Sequence, residues 1–139
     1  MLLVGWLLAS PLVADIAVVT EPSTAVDALD NAQARELWLG TVERVGGTRL
    51  TVADRSDAGI RADFYRLVLH KTRGQIKAIR SKRAFQHGIA PPPELPSDET
   101  VLRWVRAREG RLGYVDAETV DDSVKVLLVI EVPERSEQP

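Results

Sequence analysis

The sequence predicts an α/β protein with a mostly parallel sheet flanked by helices. Three observations lead there. Continuous β-branched runs at Asp15–Thr20, Arg49–Ala53 and Val124–Val132 read as buried strands. Segments with apolar residues at helical spacing lie between them. The two kinds alternate along the chain, which favours helices packed on a sheet. At 139 residues, 45% hydrophobic and 27% charged, the chain suits one small domain.

The elements follow in order. Asp15–Thr20 (Asp-Ile-Ala-Val-Val-Thr) is a strand that ends at Glu21-Pro22-Ser23. Asp30 reads as an N-cap with Gln33 as its capping-box partner, and the helix runs to Leu39 with Gly40 at C′. Gly46-Gly47 is a turn into the strand Arg49–Ala53. Ile60, Phe64, Leu67 and Val68 form one face of the next helix, and Gly74 breaks the pattern. Gln75–Phe85 reads as a further helix. Pro91-Pro92-Pro93 forces an extended connection. Ser97 caps a helix with Val101, Leu102 and Val105 facing inward, and Gly110 closes it. Leu112–Val115 is a short strand containing Tyr114, and Val124–Val132 is the most apolar strand. Trp38 and Trp104, on helices with apolar neighbours, read as core or near-core residues.

The termini are read separately. Met1–Val13 is uncharged and matches the apolar core of a secretory signal, with cleavage after Ala14. It is too short for a stable membrane span. The domain is then 15–133, with a polar tail at 134–139. Export places the mature chain in the periplasm.

Composition excludes several classes. There is no cysteine, so disulfide and thiol chemistry are absent. His70 and His87 have no metal-ligand spacing and read as surface residues. No nucleophile–base pair or Gly-x-Ser-x-Gly elbow is present, so no enzyme and no cofactor is expected. The net charge is -2 and aromatics are 5%, with none interleaved among basic residues, which argues against nucleic acid. Lys71, Arg73, Lys77, Arg80, Lys82 and Arg83 form an acid-free stretch. It reads as a solvated helix face or as a docking surface for an anionic partner.

The stretch Leu50–Tyr65 carries the clearest chemistry. A β-branched run stops at Arg55-Ser56-Asp57-Ala58-Gly59, and an amphipathic helix starts. Such a junction aims free helix N–H groups and the positive end of the dipole at an anion. Arg55 would supply a planar fork for a phosphate or carboxylate. The same pattern also fits a plain capped helix, for which Asp57 is a good N-cap.

Three segments together resemble phosphate-binding proteins of ABC transporters. Arg55-Ser56-Asp57-Ala58-Gly59-Ile60-Arg61 resembles their Arg-Ser-Asp-Gly-Ser-Gly-Thr. Leu37-Trp38-Leu39-Gly40 is similar to their Ile-Phe-x-Gly. Glu109-Gly110-Arg111-Leu112-Gly113-Tyr114-Val115 is similar to their Pro-Gly-Ala-Ile-Gly-Tyr-Val. Order and spacing agree from Asp15 to Glu131. The resemblance implies a single lobe of the type II periplasmic-binding-protein fold. It also implies that Arg55, Ser56, Asp57, Ala58, Gly59 and Arg61 make up the ligand site, with phosphate or another small oxyanion as ligand. The family's Ser and Thr positions read Gly59 and Arg61 here, so both hydroxyl ligands are missing. A one-residue shift puts Ala58 at the Ser position and leaves that result unchanged. With one lobe the anion stays wet, where a unit-charge pair at contact is worth about 1 kcal/mol. Binding is then weak, or a second copy or an envelope partner supplies the missing wall. The other reading is an interaction module that keeps the fold, has lost the ligand and docks to an envelope partner.

Overall fold

The computed structural model describes residues 15–133. The expected signal segment and polar tail lie outside the described residues. In chain order the elements are β1 (Ile16–Thr20), α1 (Asn31–Leu39), β2 (Arg44–Val45), β3 (Thr48–Arg49), β4 (Thr51–Val52) and β5 (Asp54–Arg55). Next come α2 (Ala58–Phe64), which runs on into a π-helical turn at Tyr65–Leu69, and α3 (Arg73–His87). The chain then forms β6 (Glu94–Leu95), α4 (Asp98–Arg106), β7 (Arg111–Asp116), a 3-10 turn at Ala117–Thr119 and β8 (Lys125–Ile130).

The class is the expected one, but the sheet is mixed rather than mostly parallel. Its strand order is β4-β7-β1-β8. The first strand inserts between the last two and runs antiparallel to both. Alternation of helices and strands speaks only for neighbours in sequence, whereas β1 finds its partners at the other end of the chain. The parallel pairs are β4 with β7 and β5 with β6. A small hairpin, β2 with β3, turns at Gly46-Gly47 as expected.

Every residue of β1 is buried, because both faces of the sheet are covered. Side chains alternate between the faces. Ile16 and Val18 enter the larger core with Trp38, Phe64, Val68, Leu69, Leu112 and Tyr114. Ala17 and Val19 enter the smaller core with Val101, Leu102, Val105 and Val115. Thus α1, α2 and α3 serve one face and α4 the other. A Cβ at Gly113 would sit 2.4 Å from Val101 Cγ1, so the bare backbone of β7 is what lets α4 lie so close.

Several caps are those read from the sequence, but α4 is closed by Ala107 and not by Gly110. Asp30 and Gln33 form a capping box, Gly40 ends α1 with φ 77°, and Ser97 caps α4. One break moves. His70, with φ 54°, ends the α2 helix, while Gly74 lies inside the first turn of α3. Thr72 caps that turn with Gln75 as its reciprocal partner. The α3 helix consequently runs on to His87 and stops at Gly88. Trp38 is fully buried, and Trp104 lies half-buried with the Arg111 guanidinium 4.6 Å from its ring centre.

Candidate functional site

The expected junction exists: β5 ends at Arg55, Ser56 and Asp57 turn, and α2 begins at Ala58. Its arginines are not presented to solvent, however. Arg55 is 3% exposed, and its fork is filled from within the protein. Its Nε and one terminal nitrogen donate to the two Asp57 carboxylate oxygens, each at 2.8 Å. The other terminal nitrogen donates to Asp98 at 2.6 Å and to the Tyr114 carbonyl at 3.0 Å. Burial disfavours the charged guanidinium, but hydrogen bonds and charges from Asp57 and Asp98 outweigh it and push its pKa up. Arg55 therefore ties β5 to α4 and β7.

Asp57 occupies the N-cap position of α2, yet its side chain makes no cap hydrogen bond. The Arg55 fork holds its carboxylate instead. This corrects the expectation of a capped helix. The N-terminal amides of α2 consequently have no side-chain acceptor, and they lie beside the exposed Ser56, Ala58 and Gly59. Arg61 is also buried; it donates to the Arg55 and Ser56 carbonyls at 3.4 Å and stands 3.7 Å from Glu94. The structure thus brings Arg55, Ser56, Asp57, Ala58, Gly59 and Arg61 to one place. Arg55 and Arg61 are buried there, while Ser56, Ala58 and Gly59 are exposed. Two arginines face three carboxylates there, Asp57, Asp98 and Glu94, so the unliganded junction carries no excess positive charge.

Directly beneath lies a cluster that the sequence reading missed. Asp54 is fully buried. Its carboxylate accepts from the hydroxyls of Tyr65 and Tyr114, from Arg80 at 2.7 Å and from the Arg55 amide at 2.8 Å. Arg80 also donates to the Tyr65 hydroxyl at 3.2 Å and the Trp38 carbonyl at 3.0 Å. Tyr114 stacks on Phe64 at 3.8 Å, and Trp38 packs edge-on against both rings. The available signal was Asp54 itself, an acid at the end of a β-branched run, which must find buried donors.

Burial and the hydrogen bond to Asp54 push the Tyr65 hydroxyl up to about 12, and burial beside the Asp54 charge raises Tyr114 still further. Unfolded tyrosine titrates near about 10. A raised native pKa means the folded state keeps protons that the unfolded state loses. This contribution is whole below about pH 10 and is lost as pH climbs toward about 12 and beyond. The melting temperature is expected to fall over that window. Tyr65 and Tyr114 are the chain's two tyrosines, so phenolate absorbance reports on this cluster alone. Phenolate appearing in step with unfolding is the expected result; titration near 10 with the fold intact would contradict it.

The acid-free basic stretch does not form one surface. Arg80 points inward to Asp54, Arg83 is half-buried, and Arg73, Lys77 and Lys82 face solvent. Among the described residues, no helix is long and apolar enough to cross a membrane and no acid or histidine cluster could hold a metal.

No protein-family model matches the chain, and no curated protein matches it. Solved structures do. The chain is similar to an ABC-type phosphate transport receptor from Vibrio cholerae, with TM-score 0.64 and 22% identity, over 82% of this chain and 46% of that one. It is similar to a Clostridium perfringens protein solved with bound phosphate and described as a phosphate ABC transporter substrate-binding protein, with TM-score 0.62 and 20% identity, over 82% and 45%. PstS from Borrelia burgdorferi matches with TM-score 0.60 and 14% identity, over 82% and 47%. The chain thus has the fold of one part of phosphate-binding proteins and spans less than half their length.

Proposed function

We propose that this chain is a solute-binding module for phosphate or a related small oxyanion, a one-lobe relative of the substrate-binding components of phosphate ABC transporters that works in the periplasm. The observation that carries the reading is the state of the α2 N-terminus. Its amides lack a side-chain acceptor because Arg55 has drawn the Asp57 carboxylate away. Amides left open at a helix start suit an oxyanion. The likeness in fold to proteins of phosphate transport, one of them with phosphate bound, supports the choice of ligand.

The same geometry sets the strength. An incoming anion meets the Asp57 charge, and the exposed Ser56, Ala58 and Gly59 leave it open to water. Affinity in the millimolar range, falling with added salt, is expected. Arg55→Ala is a poor probe, since that guanidinium also holds α4 and β7 in place. Asp57→Asn is the better one. It removes a like charge and loosens the fork; about 1 kcal/mol of relieved repulsion corresponds to about fivefold tighter binding. The test is titration of inorganic phosphate followed through the amide resonances of Ala58, Gly59 and Ile60, in the native protein and in Asp57→Asn. Saturable shifts confined to those amides, tighter in the variant, are expected. Amides that stay still in both proteins would end the proposal.

A further inference from the structure

A second cleft, of about 510 Å³, opens away from the α2 junction. It lies between the C-terminal end of α1, α3, the β3–β4 segment and the Pro91–Pro93 connection. None of Asp54–Arg61 lines it. Its size is that of a small-molecule pocket. Two features mark its chemistry. Arg80 and Arg83, both lining it, each bury an Nε that has no hydrogen-bond partner. Those Nε atoms have no surface open to solvent, so a ligand in the cleft meets the arginines through their other atoms.

The two arginines differ in charge balance. Arg80 is neutralised by Asp54 at 2.7 Å. Arg83 has no carboxylate within ion-pair distance among the described residues. Its stem rests on Gly40, with Cδ 3.3 Å from where a Cβ would stand, so a side chain at position 40 would press on it. Gly40 also holds the left-handed conformation that ends α1. Across the cleft, Arg49 and Glu43 form a loose pair at 3.8 Å that largely cancels. One positive charge is therefore left over. The rest of the lining includes apolar side chains, among them Leu50, Val52 and Ile89.

We infer that this cleft binds a small organic carboxylate, its anionic end taken by the Arg83 guanidinium and its apolar body against Leu50, Val52 and Ile89. A single carboxylate supplies one charge and two acceptor oxygens, which matches one uncompensated guanidinium. The apolar walls favour a ligand with a hydrocarbon body over a bare inorganic ion.

The probe is 2-naphthoate, titrated by calorimetry and by the arginine guanidinium resonances. Saturable binding that moves the Arg83 guanidinium signals and leaves the Ala58, Gly59 and Ile60 amides still is expected. Arg83→Gln should weaken it about tenfold or more, since a charged hydrogen bond is lost, with the melting temperature unchanged. Arg83→Lys, which keeps the charge and loses the planar fork, should fall between the two and stands in if the glutamine variant does not fold. The inference is overturned if 2-naphthoate does not bind, if Arg83→Gln binds it as well as the native protein, or if neutral 2-naphthol binds equally well. Phosphate shifts at α2 with no naphthoate response would sink this inference alone. A naphthoate response without phosphate shifts would sink only the oxyanion reading of α2.

Discussion

Asp54→Ala is expected to remove about 3–5 kcal/mol of folding stability, the range seen when one partner of a buried ion pair is deleted. The carboxylate is fully buried and serves four donors: two tyrosine hydroxyls, the Arg80 guanidinium and the Arg55 amide. Alanine would leave all four without it. Arg80, whose side chain is 14% exposed, cannot simply turn to water, because its other terminal nitrogen is held by the Trp38 carbonyl. The hydroxyls of Tyr65 and Tyr114 would lose their shared acceptor, and Tyr65 would be left beside the Arg80 charge. A domain of this size has about 5–15 kcal/mol in all, so the variant should lose a large share of its stability. Asp54→Asn keeps the shape and one acceptor but turns an amide NH₂ toward donors, so a smaller loss is expected. Urea denaturation of both variants checks the ordering. An alanine variant within about 1 kcal/mol of the native protein would mean that the cluster is not needed for the fold.

Trp38→Ala should cost a similar amount, about 3–5 kcal/mol, by a different route. The indole is wholly buried where α1 meets the larger core. It is edge-on to Phe64 at 5.0 Å and to Tyr114 at 6.0 Å, and its Nε1 donates to the Ala53 carbonyl at 2.9 Å. Alanine would open a large void beneath the stacked pair and leave that carbonyl without its indole donor. Trp38→Phe separates the two effects, since it fills much of the space and loses only the donor, at about 1–2 kcal/mol. The midpoints of urea unfolding should rank native, phenylalanine, alanine. Equal losses in the two variants would assign the effect to the hydrogen bond instead of the packing.

Local signals were legible wherever one residue answers to a near neighbour. Capping boxes at Asp30–Gln33, the stop at Gly40 and the turn at Gly46-Gly47 depend on residues a few positions apart, and the structure has each of them. The apolar face Ile60, Phe64 and Val68 likewise turns toward the core. The direction of β1 was not legible, because a strand carries no mark of which distant strand it will join. The site divides in the same way. The chain order Arg55-Ser56-Asp57 marked a strand–turn–helix junction, and the junction is there. What the order could not disclose is that Arg55 reaches Asp98 and the Tyr114 carbonyl, and so spends its fork inside the fold. The Asp57 cap failed for that reason: a nearby guanidinium outcompeted three backbone amides for one carboxylate. In the basic stretch, identical residue types divide between interior and solvent according to the face of α3, which charge counting does not see.

The insertion of β1 between β7 and β8 has a kinetic consequence. Its partners pair Ile16 with Asp116 and with Ile130, so the central strand closes the longest loops in the molecule. Loop closure of that length is slow, and its entropy is lost before any contact repays it. A chain emerging from the ribosome holds the strand Ile16–Thr20 unpaired until almost all of the domain has been made. During that interval α1, α2 and α3 lack the sheet face they pack on. The topology thus keeps the nascent chain open until late in its synthesis.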